Sequence, residues 1–251
     1  MTLRCWRFRT FEVDLKNNLS DTILRRILPI VLVISGFFTV VHSQTVTPRF
    51  GTDFQIWNET QLIFPLNKKK DLNFAIWMVG RFGNDVRTVT DARIGGLLTK
   101  KVNKHVTLGA GYLYRYSNPT FVRRRYESRY VGQAIFTLPL GNKFTLVNRE
   151  QVQYENRYSR LNAVVIRSKV TLKREIELAK KKFEPFVSFE PFYDTRLHAI
   201  ARYREQIGFS HKFNSQFTAD FYYVRQDETG NHTRPGTLNG IGTSFKVYVL
   251  K

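Results

Sequence analysis

In VTLGAGYLYRYSN, Val106 to Asn118, two kinds of side chain alternate along the chain. Val106, Leu108, Ala110, Tyr112, Tyr114 and Tyr116 fall on one parity, and Thr107, Gly109, Gly111, Leu113 and Arg115 on the other. Successive side chains of a strand point to opposite faces, so this pattern predicts a strand with one apolar, Tyr-rich face and one small or polar face. The apolar face must cover either a protein core or lipid.

The same period of two recurs along the chain. Leu72, Phe74, Ile76 and Met78 share a parity, as do Tyr130, Gly132, Ala134, Phe136 and Leu138. Phe217, Ala219, Phe221 and Tyr223 follow, then Ile241, Thr243, Phe245, Val247 and Val249. From about Asp53 to Leu250 the alternation predicts an all-β chain. The one stretch with helical character is LKREIELAKKK, Leu172 to Lys182, which also reads as a turn between frayed strand ends.

Many runs reach ten residues or more, beyond the usual strand of a soluble sheet and close to the length a tilted membrane strand needs. Their second face is rich in Gly, Ser, Thr, Gln and Arg, while Tyr and Trp gather toward strand ends. Apolar-out alternation with aromatic girdles predicts a closed antiparallel up-and-down transmembrane β-barrel. A soluble lipocalin-like barrel would reverse the two faces. Eleven runs are clear, and Gln44 to Phe50 is a weak twelfth. Even parity favours about twelve strands, with ten as the alternative. Compact connections (LNKKKD, KVNKH, PLGNK, AKKKFE, KFNS) alternate with longer ones such as SNPTFVRRR and DETGNHTRPGT, and the compact set is expected on the periplasmic side.

The N-terminus has another character. Arg25 and Arg26 precede ILPIVLVISGFFTVV, and VHSQ follows, with Val41 and Ser43 at the small-residue positions before a cut at Gln44. That order predicts a secretory signal peptide over 1–43, with a long n-region, and a barrel domain over 44–251. A single membrane anchor is the alternative. Cleavage removes Cys5, the one cysteine, so neither a disulfide framework nor a thiolate metal site is expected. The formal charge of +20 falls by three, because six cations and three carboxylates leave with residues 1–43. An exported basic chain without a nucleic-acid motif points to lipid and lipopolysaccharide-type headgroups, or a small anionic solute, rather than nucleic acid.

On the parity expected to line the lumen stand Arg125, Glu127 and Arg129, then Arg167 and Lys169, Glu190, and Arg202 with Arg204. Two readings follow. These charges form an ion-pair ladder that fills a narrow lumen, or their positive surplus forms an anion-selective path or binding site. Glu190, in FVSFEPFYD, is expected to pair with a lumen arginine. Ser210 and His211 are adjacent and face opposite ways, so they cannot form a dyad. No nucleophile motif, cofactor loop or metal spacing stands out. The expectation is a non-enzymatic, monomeric barrel of the bacterial outer membrane, working as a narrow channel, a binding protein or a structural envelope component. A lipid-modifying or hydrolytic enzyme on the same barrel is the alternative.

Several stretches together resemble domain-of-unknown-function family 2490, predicted outer-membrane barrels. They are IWNETQLIFPLNKKKDLNFAI, SFEPFYD at Ser188 to Asp194, RYREQIGFSHKF, and FTADFYYVRQD before a long loop and a glycine-bearing last strand. The resemblance covers essentially the whole mature chain and implies location and fold, not activity. Many outer-membrane barrels end in an aromatic residue, whereas this chain ends VYVLK.

Overall fold

The computed structural model describes residues 52–118, 125–158, 161–179, 181–229 and 236–249. Alternation organises all of them into strands: β1 (Thr52–Pro65), β2 (Leu72–Gly83), β3 (Thr88–Lys101), β4 (Val106–Ser117), β5 (Arg125–Gly141) and β6 (Phe144–Arg157). The second half adds β7 (Ala163–Arg174), β8 (Ile176–Leu178), β9 (Lys181–Asp194), β10 (Ala199–Lys212), β11 (Phe217–Glu228) and β12 (Thr237–Tyr248). Each long strand pairs antiparallel with the next, and β7 passes directly to β9. β8 is a three-residue flange on the start of β9. The segment from Leu172 to Lys182 is therefore strand and turn, because Leu172 is held opposite Val187 and Ile176 opposite Phe183.

The sheet closes into the expected barrel, with eleven long staves and the short β8. Eleven is odd, so β1 and β12 run the same way and must meet in parallel. They do so from Thr52↔Thr237 to Ile63↔Tyr248. The all-antiparallel ladder of the sequence reading thus has one parallel seam, and that ladder leaves no place for another stave between β1 and β12. The run 44–50 and the 43/44 boundary lie outside the described residues.

Local chemistry shapes the turns. In KVNKHV, Asn103 Oδ1 accepts the backbone N–H of His105 and Val106 at 2.7 and 2.9 Å. In KFNSQF, Asn214 Oδ1 accepts those of Gln216 and Phe217, both at 2.8 Å. A short side chain that mimics a backbone carbonyl reverses the chain in both hairpins. Between β5 and β6, Asn142 and Lys143 both take positive φ (47° and 64°), the signature of a two-residue type I′ turn whose twist suits the flanking strands. Turns 84–87 and 195–198 span four residues each, as few as 102–105 and 213–216. The two ends of the barrel therefore differ less in connection length than the sequence suggested.

Faces follow parity. Every long stave exposes a large apolar side chain outward, among them Ile56, Phe74, Ile94, Leu108, Tyr130, Val152, Ile166, Val187, Ile207, Phe221 and Ile241. The outward polar groups meet local partners. Asn58 donates to Thr243 across the seam at 2.9 Å, Ser168 donates to Glu150 at 2.5 Å, and Glu205 stands opposite Arg225. Inward, a smaller apolar cluster of Ile63, Ala75, Trp77, Val79, Leu97, Leu113 and Val131 covers one wall. Pro191 lacks an N–H, and the β7–β9 ladder lapses across Ser168 and Lys169 beside it. No helix among the described residues is long and apolar enough to cross a membrane, which says nothing of strands.

The parallel seam makes a direct expectation. With Cys5→Ser in the background, Asn58→Cys and Thr243→Cys should oxidise to a disulfide, read as altered gel mobility on reduction. A stave lying between β1 and β12 would hold these positions too far apart to bridge.

Candidate functional site

The functional candidate is built from inward-facing arginines and carboxylates at mid-barrel and above. On β3, β5 and β6 the same short pattern occurs: Asp91-Ala-Arg93, Glu127-Ser-Arg129 and Glu155-Asn-Arg157. Residues two apart on a strand share a face, and each arginine folds back on its own acid. Arg93 Nε and Nη2 donate to the two oxygens of Asp91 at 2.9 and 2.6 Å, a forked charge-assisted pair. Arg129 donates twice to Glu127, at 3.0 and 2.6 Å, and Arg157 donates to Glu155.

Links between strands join these units into a chain. Arg115 of β4 bridges Asp91 at 2.8 Å and Glu127 at 3.1 Å. Arg129 also reaches Glu155 at 2.9 Å, and Arg157 lies 3.8 Å from Asp194. A second hub centres on Glu190 of β9. Its Oε1 accepts from Arg167 at 2.7 Å and from Arg149 at 2.9 Å, and its Oε2 from Arg204 at 3.2 Å. Aromatic rings complete the girdle. The guanidinium of Arg81 lies 3.7 Å and that of Arg204 4.8 Å from the ring centre of Trp57, while Arg167 and Arg204 both approach Phe192.

The layer is dry. Glu127, Glu190 and Gln153 expose 1% or less of their surface, and Asp91, Arg93, Arg129, Glu155 and Arg204 expose under a tenth. Charges this deep are tolerable only when paired and hydrogen-bonded. Amides extend the pairing: Arg129 donates to Gln153, Gln153 to Gln151 and Gln151 to Gln133. The girdle fills the half of the barrel nearer turns 84–87 and 195–198. Toward the opposite end it gives way to a cavity of about 340 Å³, whose lining includes Trp57, Trp77, Leu97 and Ile135 together with Arg149, Arg167 and Lys169.

The sequence-predicted residues divide accordingly. Glu127 and Arg129 belong to the first hub, and Arg167, Glu190 and Arg204 to the second. Lys169 lies beside the second hub and donates to Gln206 at 2.5 Å. Arg202 pairs with Glu228 at 3.1 Å, half-buried near the rim, and Arg125 stands half-buried at the same rim. Glu190 meets arginine as expected, but three of them. Sequence reasoning left Arg81, Asp91, Arg93, Arg149, Glu155, Arg157 and Asp194 out of the site, and Arg115 too, although parity had put it on the polar face. The acid-x-Arg pattern was the available signal for four of these.

The histidines lie elsewhere. His211 points outward, its ring 4.6 Å from those of both Phe183 and Phe213, and its Nδ1 contacts the carbonyl of Lys182. His105 Nδ1 contacts the carbonyl of Thr137, and His198 occupies a turn. His232 is outside the described residues. Among the described residues no three His, Cys, Asp or Glu side chains converge as a metal group.

Lysine and arginine are segregated along the barrel. Among the described residues, Lys68–Lys70, Lys100, Lys101, Lys104, Lys143, Lys173, Lys181, Lys182 and Lys212 ring the end where the cavity opens, with Arg174, beside the carboxylates Asp71, Glu175, Glu177 and Glu184. There Lys100, 2.8 Å from Asp71, and the Asn67 amide hold the Asp71 carboxyl below its usual range. The interior cations are mostly arginine, with Lys169 and Lys246 as the lysines of the cavity lining.

Fold and interior together define a class: a closed β-barrel with apolar side chains outward and a buried arginine–carboxylate girdle within. The chain belongs to the family described as "Protein of unknown function (DUF2490)", whose model matches residues 54–235. No curated protein and no solved structure matches it.

Removing one carboxylate from the girdle should expose its worth. Glu190→Gln leaves three buried arginines without their shared anion and should cost about 3–5 kcal/mol. Glu184→Gln, which breaks a half-exposed pair with Lys173 at the rim, should cost less than about 1 kcal/mol. Urea unfolding in lipid vesicles measures both; equal costs would contradict the buried-hub description.

Proposed function

We propose that this chain is a bacterial outer-membrane β-barrel, sealed across half its length by the girdle, that serves as a binding or structural envelope protein rather than an open pore. The observation that carries the membrane assignment is the apolar belt present on all eleven long staves. A soluble monomer rarely exposes more than a few hundred Å² of contiguous apolar surface, whereas lipid requires such a belt. Closure satisfies the backbone of every stave, the other requirement for crossing hydrocarbon. A lipocalin-like barrel would turn its charges outward.

The sealed reading is supported by the dryness of the girdle, since a water-filled path would leave its side chains solvated. The protein is read as non-enzymatic, because the buried carboxylates are all engaged by arginine and the histidines sit away from them. Residues 1–43 are proposed as the signal peptide that exports it, and the lysine-ringed end as periplasmic, in contact with anionic headgroups. The barrel is proposed to act as a monomer.

The lipid-facing assignment is tested by an arginine scan. Ile94→Arg and Phe221→Arg, both outward, should each cost about 2–4 kcal/mol near the bilayer midplane. Thr218→Arg, inward near the lysine-ringed end, should cost clearly less. Folding titrations in vesicles read the difference, with N-terminal sequencing of the exported protein expected to begin at Gln44. Equal costs, or a wild-type chain that stays monomeric in buffer without detergent, would overturn the membrane reading.

A further inference from the structure

We propose that the blind cavity beneath the girdle is a binding site for a small amphiphilic organic anion, a phosphate or carboxylate head on an apolar body. The proposal rests on the sealed-barrel reading. Its first support is a set of buried donors without acceptors. Trp77 Nε1, Arg81 Nε and Arg149 Nε line or approach the same cavity, and none has a hydrogen-bond partner. Trp77 and Arg81 expose only 5% and 8% of their surface. Buried polar groups in folded proteins are almost always hydrogen-bonded, and all three of these orphans are N–H groups, so what completes them must accept.

The second support is charge. Seven cationic side chains line the cavity (Arg81, Arg93, Arg149, Arg167, Lys169, Arg204 and Lys246) against three carboxylates. Those carboxylates are already engaged: Glu190 by three arginines, Glu59 by Gln61 at 3.0 Å, and Asp220 by Lys246 at 3.9 Å. Arg93 is held by Asp91 from outside the lining, but three arginines share Glu190 and Lys169 donates to the neutral Gln206, so a cationic surplus is left for an anion to balance. The third support is shape. The cavity holds far more than one inorganic anion, and Trp57, Trp77, Val79, Leu97, Ile135 and Phe186 share its lining with the cations. The lining is mostly polar, and these six apolar side chains give the body of an organic anion a surface to lie against. The ring of lysines at the mouth would draw anions toward it.

The experiment uses the full chain carrying Trp6→Phe in phosphatidylcholine vesicles. The protein has three tryptophans, so fluorescence then comes only from Trp57 and Trp77 of the cavity wall. Hexyl phosphate should change it saturably, inorganic phosphate should need at least a tenfold higher concentration, and hexanol should give no saturable change. Arg149→Gln and Lys169→Gln should each weaken hexyl phosphate at least tenfold, with strand content checked by circular dichroism. The wild-type titration alone is decisive if either variant misfolds. A folded, non-conducting barrel that ignores hexyl phosphate, or answers hexanol equally, overturns the anion site and leaves the sealed barrel standing. Inorganic phosphate binding as tightly as hexyl phosphate overturns the amphiphile class. Steady conductance in the same vesicles overturns the sealed reading instead.

Discussion

Buried arginine–carboxylate pairing is the constraint around which this barrel is organised. A closed sheet of eleven long staves encloses more space than small side chains can fill, and here the filling is charged. Isolated ions at that depth would carry a prohibitive desolvation cost. The molecule avoids it by giving each buried carboxylate at least one guanidinium and by sharing single anions among several cations, three around Glu190 and two close ones around Asp91. Arginine suits this role because its planar fork donates in several directions and stacks on aromatic faces, as Arg81 does on Trp57. Register then follows from charge: slipping one strand by a residue would send its arginines into the apolar outer belt.

Much of this was legible before any coordinates. Parity placed Tyr112 and Tyr114 outward and Arg115 inward, and it placed Glu127 beside Arg129 in the lumen. It also showed Asp91 beside Arg93 and Glu155 beside Arg157, had the acid-x-Arg repeat been followed along the chain. What parity cannot show is which strands meet across the interior. Glu190 collects Arg149 from β6, which is not its sheet neighbour, because side chains as long as arginine span a narrow lumen. The staves' height relative to one another depends on the stagger round the whole barrel, and no short window of sequence contains it. The seam is a similar case. Counting hairpins suggested an even number of staves, whereas the run 52–65 pairs directly with 237–248, and a parallel contact between chain ends leaves no local mark.

The division of the interior connects structure to use. One half is packed with paired charge, and the other holds a cavity whose lining mixes cationic side chains with aromatic and aliphatic ones. Most lysines, compact and strongly hydrated, stand at the rim beside that cavity, whereas the buried cations are mostly arginine, with Lys169 and Lys246 reaching the cavity itself. The same distribution gives the barrel two chemically distinct ends.

Conductance across a planar bilayer tests the central claim most directly. Wild-type protein should insert without producing a steady ohmic current, because the proposed seal leaves no water-filled path. Glu127→Ala combined with Arg129→Ala, which deletes one link of the girdle, should admit measurable ion flow. A wild-type barrel that conducts steadily, with a current unchanged by that pair of substitutions, would contradict the account.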